Sequence, residues 1–158
     1  MKTAIRYFSK FGHTEKMAKI VGELTNTRPE LATVRLSEPV DTLYLGSGVL
    51  LGKVDNSIVE FINTLTPDKV KNVVCFGSSA IIKSPVPQMR EMLQAKGITV
   101  SDKEFSCKGS MGPIHMGHPN KKDLDDFANS FLPPSNNHLS TQIIKYKNTL
   151  HYRPTAVL

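Results

Sequence analysis

The sequence predicts a three-layer α/β fold, in which one mostly parallel sheet is covered by helices on both faces. Three observations lead there. Short β-rich runs alternate with stretches of helical spacing over residues 3–131, and that alternation builds parallel sheets. The run "KNVVCFG" (71–77) is strongly apolar, as a strand buried on both faces is. Finally, 158 residues with 39% hydrophobic content suit one domain with a real core.

Each element has its own signature. "TAIRYF" (3–8) is a short β-rich run. "TEKMAKIVGELTN" (14–26) sets Met17, Ile20, Val21 and Leu24 at helical spacing, with Thr14 and Glu15 near its start. "ATVRL" (32–36) reads as the second strand, between Pro29 and Pro39, with little or no helix before the third strand, "TLYLGSG" (42–48). "NSIVEFINTL" (56–65) is helical, with Asn56 as its expected N-cap. The apolar run 71–77 is the fourth strand. "SPVPQMREMLQAKG" (84–97) starts near prolines and stops at Gly97, as helices do. "ITVSDKEFSC" (98–107) is the expected fifth strand. "NKKDLDDFANSF" (120–131) is the last helix, with Asn120 as cap and Leu124, Phe127 and Phe131 inward. These elements define a domain over 1–131. "LPPSNNH" (132–138) reads as a linker, and 139–158 as a C-terminal tail of unassigned role, with "TQIIKYKN" as a candidate strand.

Composition narrows the function. The formal net charge is +6, and half of the excess lies in residues 127–158, which hold Lys145, Lys147 and Arg153 and no acid. No basic stripe interleaved with aromatics occurs, so nucleic acid is not an expected partner. No run reaches the roughly 20 apolar residues of a membrane span. The first residues lack a secretory h-region and cleavage site, so a cytoplasmic address is the expectation. Cys75 and Cys107 cannot form a disulfide framework or a four-ligand zinc site alone. Buried, inert thiols are the ordinary reading of both cysteines; beside it stand two sharper readings, a metal site at His115 and His118 in "HMGH", which no further ligand pattern supports, and a low-pKa thiol at Cys107 beside Lys108, to which a buried strand-end Cys is preferred.

The chemistry concentrates at "YFSKFGHTEKMA" (7–18). Small and polar groups stand between the first strand and the first helix. Ligands of open parallel sheets bind outside the carboxyl ends of strands, and a helix N-terminus offers unpaired N–H groups to an anion. Gly12 permits a tight turn. Ser9 and Thr14 bring hydroxyls, and Lys10 brings charge. The alternative is an ordinary strand-to-helix turn capped by Thr14. Other phosphate folds fit less well. There is no G-x-x-x-x-G-K-[ST]. "GSGVLLG" (46–52) spaces its glycines wrongly for a dinucleotide fingerprint. The acidic residues of a receiver domain and the Cys loop of a phosphatase are missing from the strand ends.

On these residues the chain resembles the flavodoxins. Their phosphate loop follows [ST]-x-[ST]-G-[NH]-T, which Ser9, Gly12, His13 and Thr14 match and Phe11 does not. "LYLGSGVLLGKVDNSIVEFI" (43–62), "VVCFGSS" (73–79) and "FSCKGSMGPIHMGHPNKKDLDDF" (105–127) are similar to the later strands and flavin loops. The resemblance spans about residues 1–131 and implies a sheet of five parallel strands in the order 2-1-3-4-5. It also implies FMN as cofactor. Ser9, Lys10, Phe11, Gly12, His13 and Thr14 would hold the phosphate. Gly48, Val49, Leu50 and Leu51 would flank one face of the isoalloxazine, and Ser78, Ser79 and Ala80 would line the other side. The chain has no Trp, and aliphatic contacts from Val49, Leu50 and Ile81 would replace the family's stacked aromatics. Lys53 and Lys83 lie in or beside the flavin loops. A cation there favours the reduced, anionic flavin and raises its potential.

The function expected is electron transfer through FMN with a redox partner protein, an acidic one being suited to the lysines. The alternatives are an FMN-dependent reductase of a quinone or similar acceptor, and a binding module of this fold without flavin. No general acid–base pair marks the chain as an enzyme.

Overall fold

A computed structural model describes residues 1–79, 84–109 and 116–131. The linker and tail expected over 132–158 lie outside the described residues. The elements in chain order are β1 (Thr3–Tyr7), α1 (His13–Thr25), β2 (Pro29–Leu31), β3 (Val40–Leu50), β4 (Lys53–Val54), α2 (Asn56–Asn63), β5 (Val70–Ser79), α3 (Val86–Ala95), β6 (Phe105–Lys108) and α4 (Lys121–Ser130). The sheet runs β2-β1-β3-β5-β6, and these five strands are all parallel. That is the expected 2-1-3-4-5 order. The sixth strand, β4, is an addition: it folds back antiparallel on the end of β3.

The two faces follow from strand alternation. On β5, Val74 and Phe76 point to the layer of α1 and α4, joining Ile5, Met17, Ile20, Phe105 and Phe127. Val73 and Cys75 point to the layer of α2 and α3, joining Leu43, Leu45, Ile58, Ile62, Met89 and Leu93. Among the described residues, no helix is long and apolar enough to cross a membrane.

Three local expectations need correction. Residues 32–36 do not form the second strand; β2 is Pro29–Leu31. Helix α1 ends in a left-handed Asn26, with Thr27 N–H returning to Gly22 O at 3.0 Å, a tight stop that delivers the chain to the sheet three residues early. The segment after β2 is then held by a side chain. Arg6, buried on β1, donates from Nε to Val34 O at 2.7 Å and from Nη2 to Arg35 O at 3.4 Å, and pairs with Glu30 at 2.8 Å. No helix joins β2 to β3, and Arg6 satisfies carbonyls that a helix would have satisfied within itself.

The expected fifth strand also shrinks. β6 starts at Phe105, and only Val100 of the earlier stretch bridges to the sheet, at Val73. The polar residues Asp102, Lys103 and Glu104 are exposed and give no inward face to a strand. Third, the cap of α2 is Asp55, not Asn56. Its carboxylate accepts from Ser57 N–H at 2.8 Å.

Candidate functional site

The ends of β1, β3 and β5 converge on the start of α1. The turn into that helix is made by Gly12, in the left-handed region at φ 83°, and no side chain caps the helix. The first helical bond runs from Lys16 N–H to Gly12 O at 3.1 Å. The backbone N–H groups of Thr14 and Glu15 thus precede any intrahelical acceptor. A Cβ built on Gly12 would meet nothing within 4 Å, so the space over the turn is open. Any L-residue there carries the strain of a positive φ.

Beneath this turn lies a hydroxyl pair. Thr14 Oγ1 and Ser78 Oγ are 3.2 Å apart and both residues are buried. Two hydroxyls share one bond between them, which leaves one O–H proton to donate elsewhere. Among the described residues the pair has no third partner. Gly48 closes the floor: a Cβ on it would stand 3.6 Å from Thr14 Oγ1 and 4.0 Å from Ser78 Oγ. Ser47 is buried but donates to Gly48 O at 2.8 Å, so its hydroxyl is used. β6 brings in Gly109, whose Cβ would come 3.2 Å from the His13 ring and 3.5 Å from Ser78 Cβ.

The third wall is a hairpin that sequence reading missed. Leu51 and Gly52 both have positive φ, 52° and 79°, the pattern of a two-residue type I′ turn. The hairpin is clamped by Gln88 of α3. Its Oε1 accepts from Val54 N–H at 3.1 Å and its Nε2 donates to Gly52 O at 2.6 Å. One side chain thus pairs the free edge of β4 as a neighbouring strand would. A Gln in a helical run carries no sequence signal for such a role.

The structure brings Ser9, Gly12, His13, Thr14, Gly48, Val49, Ser78 and Ser79 to one end of the sheet. Lys10 and Phe11 are there too but exposed, with Lys10 Nζ 5.9 Å from the Phe11 ring centroid. Leu51 stands at the hairpin tip, 88% exposed. Ala80, Ile81 and Lys83, and the side chain of Leu50, lie outside the described residues.

Cys107 follows the inert reading rather than the reactive-thiol alternative. Burial pushes its pKa up to about 12, and its Sγ rests 3.3 Å from Met17 Sδ. Cys75 is fully buried, where Cys107 is half-buried, and is likewise pushed up to about 12. Among the described residues no three His, Cys, Asp or Glu side chains converge as metal ligands. His115 lies outside them, and His118 bonds to Asp123 at the start of α4.

The arrangement fits a phosphorylated flavin at its phosphate end. Uncapped N–H groups, an open glycine turn and a buried hydroxyl pair with a proton to donate suit a dianionic oxygen cluster.

No protein-family model matches the chain. An uncharacterized protein of Methanocaldococcus jannaschii is 29% identical over 150 residues, covering 84% of this chain and 99% of that one. Among solved structures, a flavodoxin from the domain Archaea superposes with a TM-score of 0.63 at 20% identity, covering 82% of this chain and 93% of its own. The rubredoxin oxygen:oxidoreductase of Desulfovibrio gigas superposes with a TM-score of 0.66 at 15% identity; 94% of this chain is covered, but only 37% of that larger chain. The fold is flavodoxin-like.

Proposed function

We propose that this protein of flavodoxin-like fold binds FMN at the carboxyl end of its sheet and works as a cytoplasmic electron-transfer protein. The observation that carries the reading is the start of α1. It is an uncapped helix N-terminus behind a left-handed glycine, set over the Thr14–Ser78 hydroxyl pair. Likeness to a solved flavodoxin adds weight.

The roles of the residues follow from their chemistry. The N–H groups of the first α1 turn and the hydroxyl of Ser9 donate to phosphate oxygens. The Thr14–Ser78 pair supplies one further proton from below. Lys10 adds charge from the rim. Val49, on the rigid hairpin, gives an apolar flank to the ring, and Ser78 and Ser79 bound its other side. FMN, once bound, supplies the redox chemistry, taking up and passing on electrons. The chain's part is to hold the phosphate, orient the ring and leave one edge open. Lys53, on the hairpin and exposed, favours negative charge on the ring. It therefore supports two-electron use, the mode of a reductase, as the second reading.

A fluorescence-quenching titration with FMN and with riboflavin tests the proposal. Riboflavin lacks the phosphate. Two charge-assisted hydrogen bonds contribute on the order of 1.5–3 kcal/mol each, so FMN should bind at least about 100-fold more tightly. Equal affinities would refute phosphate recognition by α1.

A further inference from the structure

Resting on the FMN reading, we propose that Gln88 of α3 is a specificity-determining residue that acts from outside the site. It is a positioning residue: by fixing the hairpin it makes the site select a flavin ring rather than any phosphorylated molecule. The phosphate end makes no demand on the rest of a ligand, because the N–H groups of α1 and the Thr14–Ser78 pair meet only phosphate oxygens. Discrimination must come from the two flanks of the ring, the hairpin and the end of β5.

The hairpin does not hold its place by itself. β4 has two residues and meets β3 through two residue pairs, Val49 with Val54 and Leu50 with Lys53. A two-stranded hairpin is marginal in water. The turn adds strain, since Leu51 has a φ of 52°, which Leu disfavours and Gly or Asn tolerates. A strained turn persists only where its surroundings fix it. Gln88 does so, gripping the peptide groups on both sides of Lys53: Nε2 donates to Gly52 O at 2.6 Å, and Oε1 accepts from Val54 N–H at 3.1 Å. The same helix is seated against the other flank. A Cβ on Gly77 would come 2.2 Å from Pro85 Cγ, so Pro85, at the cap of α3, lies directly on β5 beside Ser78. Val86, Met89 and Leu93 are buried and anchor α3 in the core. One rigid body thus holds both flanks, and Gln88 is its link to the hairpin. Flanks fixed in advance spare a planar ring the cost of ordering them. A phosphate without a ring gains nothing from them.

The test titrates the wild type and Gln88→Met with FMN, and then with inorganic phosphate as a competitor that displaces it. Met keeps the length of the side chain and removes both hydrogen bonds. FMN should bind about tenfold more weakly to Gln88→Met, while the inhibition constant of inorganic phosphate stays unchanged. At saturating FMN the visible circular dichroism of the bound flavin should fall toward that of free FMN, which a loss of stability alone would not produce. The double variant Leu51→Asn/Gln88→Met carries Asn-Gly, the pair that forms a I′ turn unaided, and should recover most of the lost affinity. An unchanged FMN affinity in Gln88→Met, an equal loss of FMN and phosphate affinity, or no recovery in the double variant would overturn the proposal alone. A wild type that takes up no FMN would remove the FMN reading, and the proposal with it.

Discussion

Helices α1 and α4 lie on the same face of the sheet, and both begin near the carboxyl end of a strand, but they begin differently. α4 closes its own N-terminus. Asn120 Oδ1 accepts from Asp123 N–H at 3.0 Å, and Asp123 Oδ2 accepts from Asn120 N–H at 2.8 Å, a complete capping box. α1 has a glycine at the same position, and no side chain returns to its N–H groups. A cap turns a helix start into a structural joint, because it satisfies the donors that an anion would need. With glycine in its place the loss is only about a few tenths of a kcal/mol of local stability, and those donors are left for a ligand. Substitutions at the two helix starts should therefore separate cleanly into loss of binding and loss of stability.

The largest effect is expected from a charge at the open start. Gly12→Asp places a carboxylate where the phosphate is proposed to sit. Asp tolerates left-handed backbone better than most residues, so the fold should survive. Two like charges about 4 Å apart repel by roughly 4 kcal/mol at an effective dielectric near 20. FMN affinity should then fall by about three orders of magnitude. Gly12→Asn is the neutral control of nearly equal shape and should lose less than about tenfold. If both variants lose FMN equally, backbone strain rather than charge governs the turn. If neither does, the phosphate is held elsewhere. Titration of both with FMN decides among these outcomes.

The mirror-image substitution at α4 should be smaller and of another kind. Asn120→Ala removes the cap and should cost about 1 kcal/mol in urea unfolding, with FMN affinity unchanged. A matching loss of FMN affinity would mean that α4 and the flavin site are coupled, and the contrast between the two helix starts would fail.

Much of this was legible in the chain, for identifiable reasons. The strand–helix alternation and the apolar run at 71–77 specify a doubly covered parallel sheet, and the 2-1-3-4-5 order was observed. The capping residue Asn120 was readable because a capping box is local. So was the glycine turn at Gly12. What escaped depends on contacts distant in sequence. The shift of the second strand from 32–36 to Pro29–Leu31 is tied to Arg6, whose guanidinium reaches carbonyls 28 and 29 residues away. The clamp of the hairpin by Gln88 spans 34 to 36 residues. The hydroxyl pair of Thr14 and Ser78 spans 64. Each of these residues was visible, but none announces its partner. Leu51, expected as a flavin flank, stands in the I′ turn at the hairpin tip, 88% exposed, a position that only the positive φ of the turn reveals.

The smallest predicted effect sharpens the closed start alone. Asp123 of α4 receives Asn120 N–H and bonds to His118. Burial works against its ionisation, yet these bonds and the nearby His118 and Lys122 charges hold its carboxyl below the ordinary value. The folded state therefore prefers the carboxylate. The stability this contributes is present above the unfolded pKa, near 3.9, and is lost as pH falls through the lowered folded value. His118→Phe removes one of the bonds and moves the carboxyl back toward its ordinary range. The variant should therefore be less stable than the wild type at neutral pH, and the gap should narrow as the pH is lowered through that range. Urea midpoints measured at steps from about pH 7 to about pH 3 follow the difference. A gap that stays constant with pH would show that His118 supports the α4 start by packing alone. A gap that also appears in FMN affinity would show that the closed start communicates with the open one.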